Sequence, residues 1–128
     1  MPYKYFFFFF ITASSSLDLS SQSLTFCEKA DGFGKAVNQN TVFTIADNGG
    51  PVTILFTSPS NLNVTVVNFD VYKIDGGKEI YQSTMKQPLS AQSWVAKQVT
   101  FYNDGKYCVY AFDEQDNQLA RSEILIRK

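Results

Sequence analysis

Histidine is absent from the whole chain. That removes the usual general base, the commonest metal ligand and the usual switch near neutral pH. A Ser-His-Asp or Cys-His catalytic set therefore cannot be built. An excess of charge of either sign is also missing: 11 basic residues stand against 12 acidic ones, for a net charge of −1. No basic stripe is present to neutralise phosphates, which argues against nucleic acid as a partner. No Lys/Arg cluster marks an anionic membrane surface. Long hydrophobic runs are scarce. The one that stands out, Tyr5 to Ile11, is far shorter than a bilayer span needs. No window carries a sustained apolar stripe of helical period. Cysteine is limited to two residues and tryptophan to one.

What is present is a globular composition, with 45% hydrophobic and 18% charged residues in 128. The length predicts one domain with an ordinary core. The opening "MPYKYFFFFFITASSS" has a single positive charge at Lys4, a short apolar run and a small-residue exit. This is the layout of a secretory signal, with Ala13-Ser14-Ser15 or a point before Ser23 as cleavage sites. The alternative, a strand, is disfavoured because five consecutive phenylalanines cannot alternate between core and water. The expected organisation is a signal and serine-rich lead-in over residues 1–22 and a folded domain over 23–128. The mature protein is expected to be secreted or periplasmic, with no membrane span once the signal is removed.

From Leu24 the chain reads as short strands separated by turn residues. "SLTFCEK" is the first, followed by "KADGFGKAVNQN" as a loop. "TVFTIA" alternates, and "VTILFT" places Val52, Ile54 and Phe56 on one face. In "VTVVNFDVYKI", Val67, Phe69 and Val71 share one face while Asn68, Asp70 and Tyr72 share the other. "DGG" marks a hairpin. "KEIYQSTM" reads as a polar edge strand, able to pair with a second copy into a homodimer. "KQPLSAQS" reads as a loop because Pro88 excludes a central strand. "WVAKQVTF", "KYCVYAFD" and "LARSEILIRK" follow, with Ile124 and Ile126 opposite Glu123 and Leu125. Seven or eight strands at this spacing fit an all-β sandwich.

The stretch "VTFYNDGKYCVYAFD" adds a corner: a turn at Asn103-Asp104-Gly105, with Tyr107 two residues after the glycine. It resembles the E–F corner and F strand of immunoglobulin-like and fibronectin type III-like domains. The resemblance covers residues 24–128 by strand pattern. It implies an immunoglobulin-like antiparallel β-sandwich in which the Tyr107 hydroxyl ties back to upstream backbone, with Tyr107, Val109 and Ala111 inward. The layout of one such domain after a signal is also similar to small secreted bacterial proteins of the Bacteroidetes type. The chain departs from the antibody pattern at the cysteine, because Val109 occupies its place and Cys108 lies on the opposite face. A staple through the core is therefore not expected.

An even pair of cysteines behind a secretory signal still fits a disulfide between Cys27 and Cys108. Both face away from the presumed core, and they could meet if the first strand lies beside the last sheet. Such a bridge would contribute on the order of 4 kcal/mol in the chain-entropy model. The alternative is two unpaired small apolar residues packed by their neighbours. Without histidine neither reads as a catalytic nucleophile, and the pair lacks further soft ligands for a metal. "DEQDNQ" is oxygen-rich but matches no calcium-loop spacing, and it reads as a turn. "ADGFGK" lacks the spacing of a phosphate loop. Asp70, Glu79 and Glu123 are the acids that a hydrolase would draw on, and nothing singles out a pair. Asn63-Val64-Thr65 is an N-glycan sequon, relevant only in a eukaryotic secretory pathway.

The outward aromatics are the most suggestive feature. Tyr72, Tyr110 and Phe112 fall on non-core faces, with Tyr81, Trp94 and Tyr102 near by. Such rings can stack on sugars or sit under a protein partner, or else form cross-strand pairs that only strengthen the sheet. The expectation is a non-catalytic binding or adhesion module, with no cofactor and no metal, whose partner is a protein or polysaccharide at the cell envelope. A carbohydrate-binding domain is the second reading, and a small hydrolase or inhibitor the third.

Overall fold

A computed structural model describes residues 22–58, 64–89 and 93–128. The expected signal, apart from Gln22, and Asn63 of the sequon lie outside the described residues. The strands are β1 (Ser23–Cys27), β2 (Lys29–Ala30), β3 (Ala36–Val37), β4 (Val42–Thr44), β5 (Gly50–Thr57), β6 (Val66–Asp75), β7 (Lys78–Pro88), β8 (Trp94–Phe101), β9 (Gly105–Phe112) and β10 (Gln118–Arg127). They form a three-stranded sheet β1-β5-β8, a five-stranded sheet β4-β10-β9-β6-β7 and a small β2-β3 pair. All pairings are antiparallel except β4 with β10. The first described strand, β1, thus lies in one sheet, and the chain crosses at β4 to run parallel to β10 of the other. That order is an immunoglobulin-like β-sandwich, with β1, β5 and β8 facing β10, β9, β6 and β7.

Period-two alternation builds the core between the layers. Val52, Ile54 and Phe56 of β5 and Val67, Phe69 and Val71 of β6 are buried in it. Val109 and Ala111 of β9 and Ile124 and Ile126 of β10 join it, with Phe26 from β1. Burying side chains of this size contributes roughly 1.5–3 kcal/mol each, and Phe26, Phe56 and Phe69 are fully enclosed. At one end of the sandwich Tyr107 is buried against Phe101, with ring centroids 4.8 Å apart. Its hydroxyl donates to the Asn103 carbonyl at 2.8 Å, which ties the β8–β9 turn to the strand that follows it.

Two segments differ from expectation. "KADGFGKAVNQN" is not only a loop. Asp31 Oδ1 accepts from the backbone N–H groups of Phe33 and Lys35, closing a tight turn between β2 and β3. The Lys86–Pro88 piece is strand rather than loop, because β7 is an edge, where proline sacrifices no ladder hydrogen bond on its free side. No helix among the described residues is long and apolar enough to cross a membrane.

Candidate binding face

The residues that alternate with the core on β6, β9 and β10 face outward from the five-stranded sheet. Register sets them in rows: Thr84, Asp70, Tyr110 and Arg121 lie side by side across β7, β6, β9 and β10. The next row is Tyr81, Tyr72, Cys108 and Glu123. Rings from both rows meet. Tyr72 packs edge-on against Tyr81 at 5.7 Å and against Tyr110 at 5.4 Å. Tyr110 lies nearly parallel to Phe112 at 5.8 Å, with 18° between the planes. The result is a run of rings, Tyr81–Tyr72–Tyr110–Phe112, across three strands. Edge-to-face and offset contacts of this kind each add about 0.5–1.5 kcal/mol beyond area burial, so the rings are held in place rather than free.

A polar frame surrounds the rings. The Tyr110 hydroxyl donates to Glu79 Oε1 at 2.7 Å, and Arg121 reaches Glu79 Oε2 at 3.1 Å. The same guanidinium meets Glu123 at 3.0 Å and lies over the Tyr110 ring, 5.4 Å from its centroid. Lys106 joins Glu123 at 3.2 Å. Thr84 donates to Asp70 at 2.7 Å, and the Tyr81 and Thr84 hydroxyls are 2.7 Å apart. Partly exposed ion pairs of this kind contribute little stability singly. Here they fix ring positions.

The electrostatics follow from this packing. Burial, reinforced by the hydrogen bond to Glu79, raises the Tyr110 phenol. Burial and the neighbouring acids Asp70 and Glu79 raise Tyr72. Hydrogen bonds from Arg121 and Lys106 lower the Glu123 carboxyl. Cys108 lies under this frame with no exposed surface, and burial together with Glu79 pushes its thiol from 9.0 up to about 11.

Of the aromatics singled out from sequence, Tyr72, Tyr81, Tyr110 and Phe112 come together on this face. Trp94 does not. It opens β8 on the other sheet, with its neighbour Val95 in the core, so it points to the outer side of the three-stranded sheet. There the β2–β3 turn covers it, and Gly34 lies so close that a Cβ would fall 2.3 Å from the indole. Trp94 therefore leaves the candidate set as a structural residue. The expected bridge is also corrected: Cys27 and Cys108 are both free and buried. Cys27 pairs with Thr53 in the three-stranded sheet, and Cys108 pairs with Glu123 in the five-stranded one. Each faces away from the shared core, so the whole sandwich separates them.

The "DEQDNQ" segment is an Asx-type turn. Asp113 accepts from the backbone N–H groups of Gln115 and Asn117 and from the Asn117 side chain. Burial opposes ionisation of Asp113, but these hydrogen bonds outweigh it and lower its pKa. Sequence reasoning missed the role of Arg121. Its signal was the alternation of Arg121 and Glu123 in "LARSEILIRK", which puts both on the side opposite Ile124 and Ile126.

No family model matches this chain, and no curated protein does. Among solved structures the chain is similar to the CARDB domain of a Pyrococcus furiosus protein in complex with di-metal ions. The two are 14% identical, 83% of this chain and 94% of that one are covered, and the TM-score is 0.45. It is also similar to the superoxide reductase (neelaredoxin) of Ignicoccus hospitalis, 12% identical, over 81% of this chain and 83% of that one, with a TM-score of 0.45. Likeness at this level says nothing of what this chain binds.

Proposed function

We propose that this chain is a non-catalytic binding module that acts through the outer face of its five-stranded sheet. The observation that carries the reading is the run of four rings, interlocked across β7, β6 and β9 and framed by Glu79, Arg121, Glu123 and Asp70. Fixed amphipathic rings lose little freedom on binding and are enriched at protein contact surfaces. The module works outside the cytoplasm, secreted or periplasmic, in the manner of the small secreted bacterial proteins it resembles. Its partner is a component of the cell envelope.

The ring geometry favours a protein over a polysaccharide. Stacking on successive sugars wants coplanar rings, and Tyr72 stands at 72° and 80° to its neighbours. Only Tyr110 and Phe112 offer a near-parallel pair, which supports the second reading, a carbohydrate-binding domain using those two rings. A glycan array separates the two. Binding that disappears with Tyr110→Ala selects the carbohydrate reading, and a blank array with retention on envelope protein selects the first. Turnover of an envelope substrate that is abolished by Asp70→Asn contradicts both and selects a hydrolase.

A further inference from the structure

The longest strand of the sandwich is also its least covered. β7 runs eleven residues at the edge of the five-stranded sheet. Residues 78–84 are exposed on both faces, including Ile80 at 46%. We propose that this edge pairs with β7 of a second copy, antiparallel about a twofold axis between Gln82 and Ser83, joining two five-stranded sheets into one.

The register follows from the bulge. Val71 pairs with Ser83 and Tyr72 with Tyr81, so Gln82 is the extra residue and the faces of β7 switch across it. Before the bulge, Glu79 faces outward to Tyr110, while Ile80, paired with Lys73, faces inward. After it, Thr84 and Lys86 are outward beside Asp70 and Asn68, and Met85 packs inward on the core. Paired residues must share a face, so an odd-numbered residue before the bulge meets an even-numbered one after it.

The proposed register satisfies this at every position outside the bulge itself. Glu79 lies opposite Lys86 of the second copy, Tyr81 opposite its Thr84 and Ile80 opposite its Met85. Each pair occurs twice by symmetry. Lys86 has no ion-pair partner among the described residues, and the dimer brings each Lys86 beside one Glu79, adding a second cation to the carboxylate that already meets Arg121 and Tyr110. Ile80 gains an apolar neighbour.

Lysines, a bulge and a proline are the devices that keep sheet edges from adding strands at random. Here they narrow the pairing instead of forbidding it. Shifting the register by one residue places side chains of opposite faces together, and Pro88 falls outside the paired stretch. The dimer does not depend on the ligand of the ring face.

The test is a charge swap read by sedimentation equilibrium on the full chain. Wild type is expected to dimerise. Lys86→Glu alone faces Glu79 with glutamate, and Glu79→Lys alone faces Lys86 with lysine. Each is expected to weaken self-association about tenfold, since both symmetric pairs turn from attraction to repulsion. An equimolar mixture of the two variants restores opposite charges at both sites and is expected to recover the wild-type affinity. Circular dichroism checks that each variant folds. A wild type that stays monomeric at its highest soluble concentration overturns the proposal. So do single variants that associate like wild type, or a mixture that stays as weak as its components.

Discussion

At the scale of single residues, Tyr107 and Cys108 show how much one step along a strand decides. Tyr107 turns inward, and its hydroxyl closes the corner on Asn103. Tyr107→Phe keeps the ring and removes that bond, so it is expected to cost about 1 kcal/mol in urea unfolding with an unchanged circular dichroism spectrum. Cys108 turns outward beneath Glu79 and Tyr110. Neither thiol is exposed, so Ellman's reagent is expected to find none in the native protein and both in urea. A bridged protein would show none in either. The raised Cys108 pKa also has a sign. Between 9.0 and about 11 the unfolded chain releases this proton and the folded one holds it. The contribution is therefore fully present below pH 9 and is lost as pH rises through 11. Cys108→Ala is expected to flatten the fall of the urea midpoint over that window, and an unchanged slope contradicts the assignment.

Alternation is legible at this scale because it is a one-bit signal, in or out. It places both cysteines away from the core. A sandwich, however, has two outer faces, and the bit does not say which. Trp94 and Cys27 belong to the three-stranded sheet and Cys108 to the other, a distinction set by strand order across long stretches of chain.

At the scale of elements, the β2–β3 pair is the part least visible in the sequence. Strands of two residues are too short to show a period, and "KADGFGKAVNQN" has the composition of a loop. It is held by the Asp31 turn and by its seat on Trp94. Gly34 has a φ of +80° and no room for a side chain against that indole. Gly34→Ala is expected to cost about 1–3 kcal/mol through backbone strain and the clash. Trp94 is the single tryptophan, so its emission reports the hairpin directly. A red shift on substitution is expected, and emission and stability identical to wild type would refute the packing. Pro88 carries the complementary lesson. It argues against a central strand, as the sequence indicates, but it is compatible with an edge, and only the topology shows that β7 is one.

At the scale of the whole molecule, two layers enclose a core of aliphatic and phenylalanine side chains and leave a second aromatic set outside. The long strands and their inner faces were legible because they repeat a period of two between turn residues, whereas the ten strands exceed the seven or eight expected because β2 and β3 are two residues each. The ring run was half legible. Tyr72, Tyr110 and Phe112 lie within single strands, and the Gly76-Gly77 hairpin sets Tyr81 opposite Tyr72, but no period announces which rings meet across strands. The same is true of the Arg121 link to Glu79, which brings together residues 42 apart in sequence.

The proposed function requires that outer face to be a contact surface. Cosedimentation of the purified protein with cell-envelope fractions measures this directly, comparing wild type with the double variant Tyr81→Ser and Phe112→Ser at the two ends of the ring run. Both changes leave the core intact. Wild type is expected to be retained, and the variant, still folded by circular dichroism but about 1–3 kcal/mol less stable for its two lost ring contacts, is expected to lose about tenfold or more in apparent affinity. Equal retention of the two proteins, or no retention of either, would contradict the proposed function.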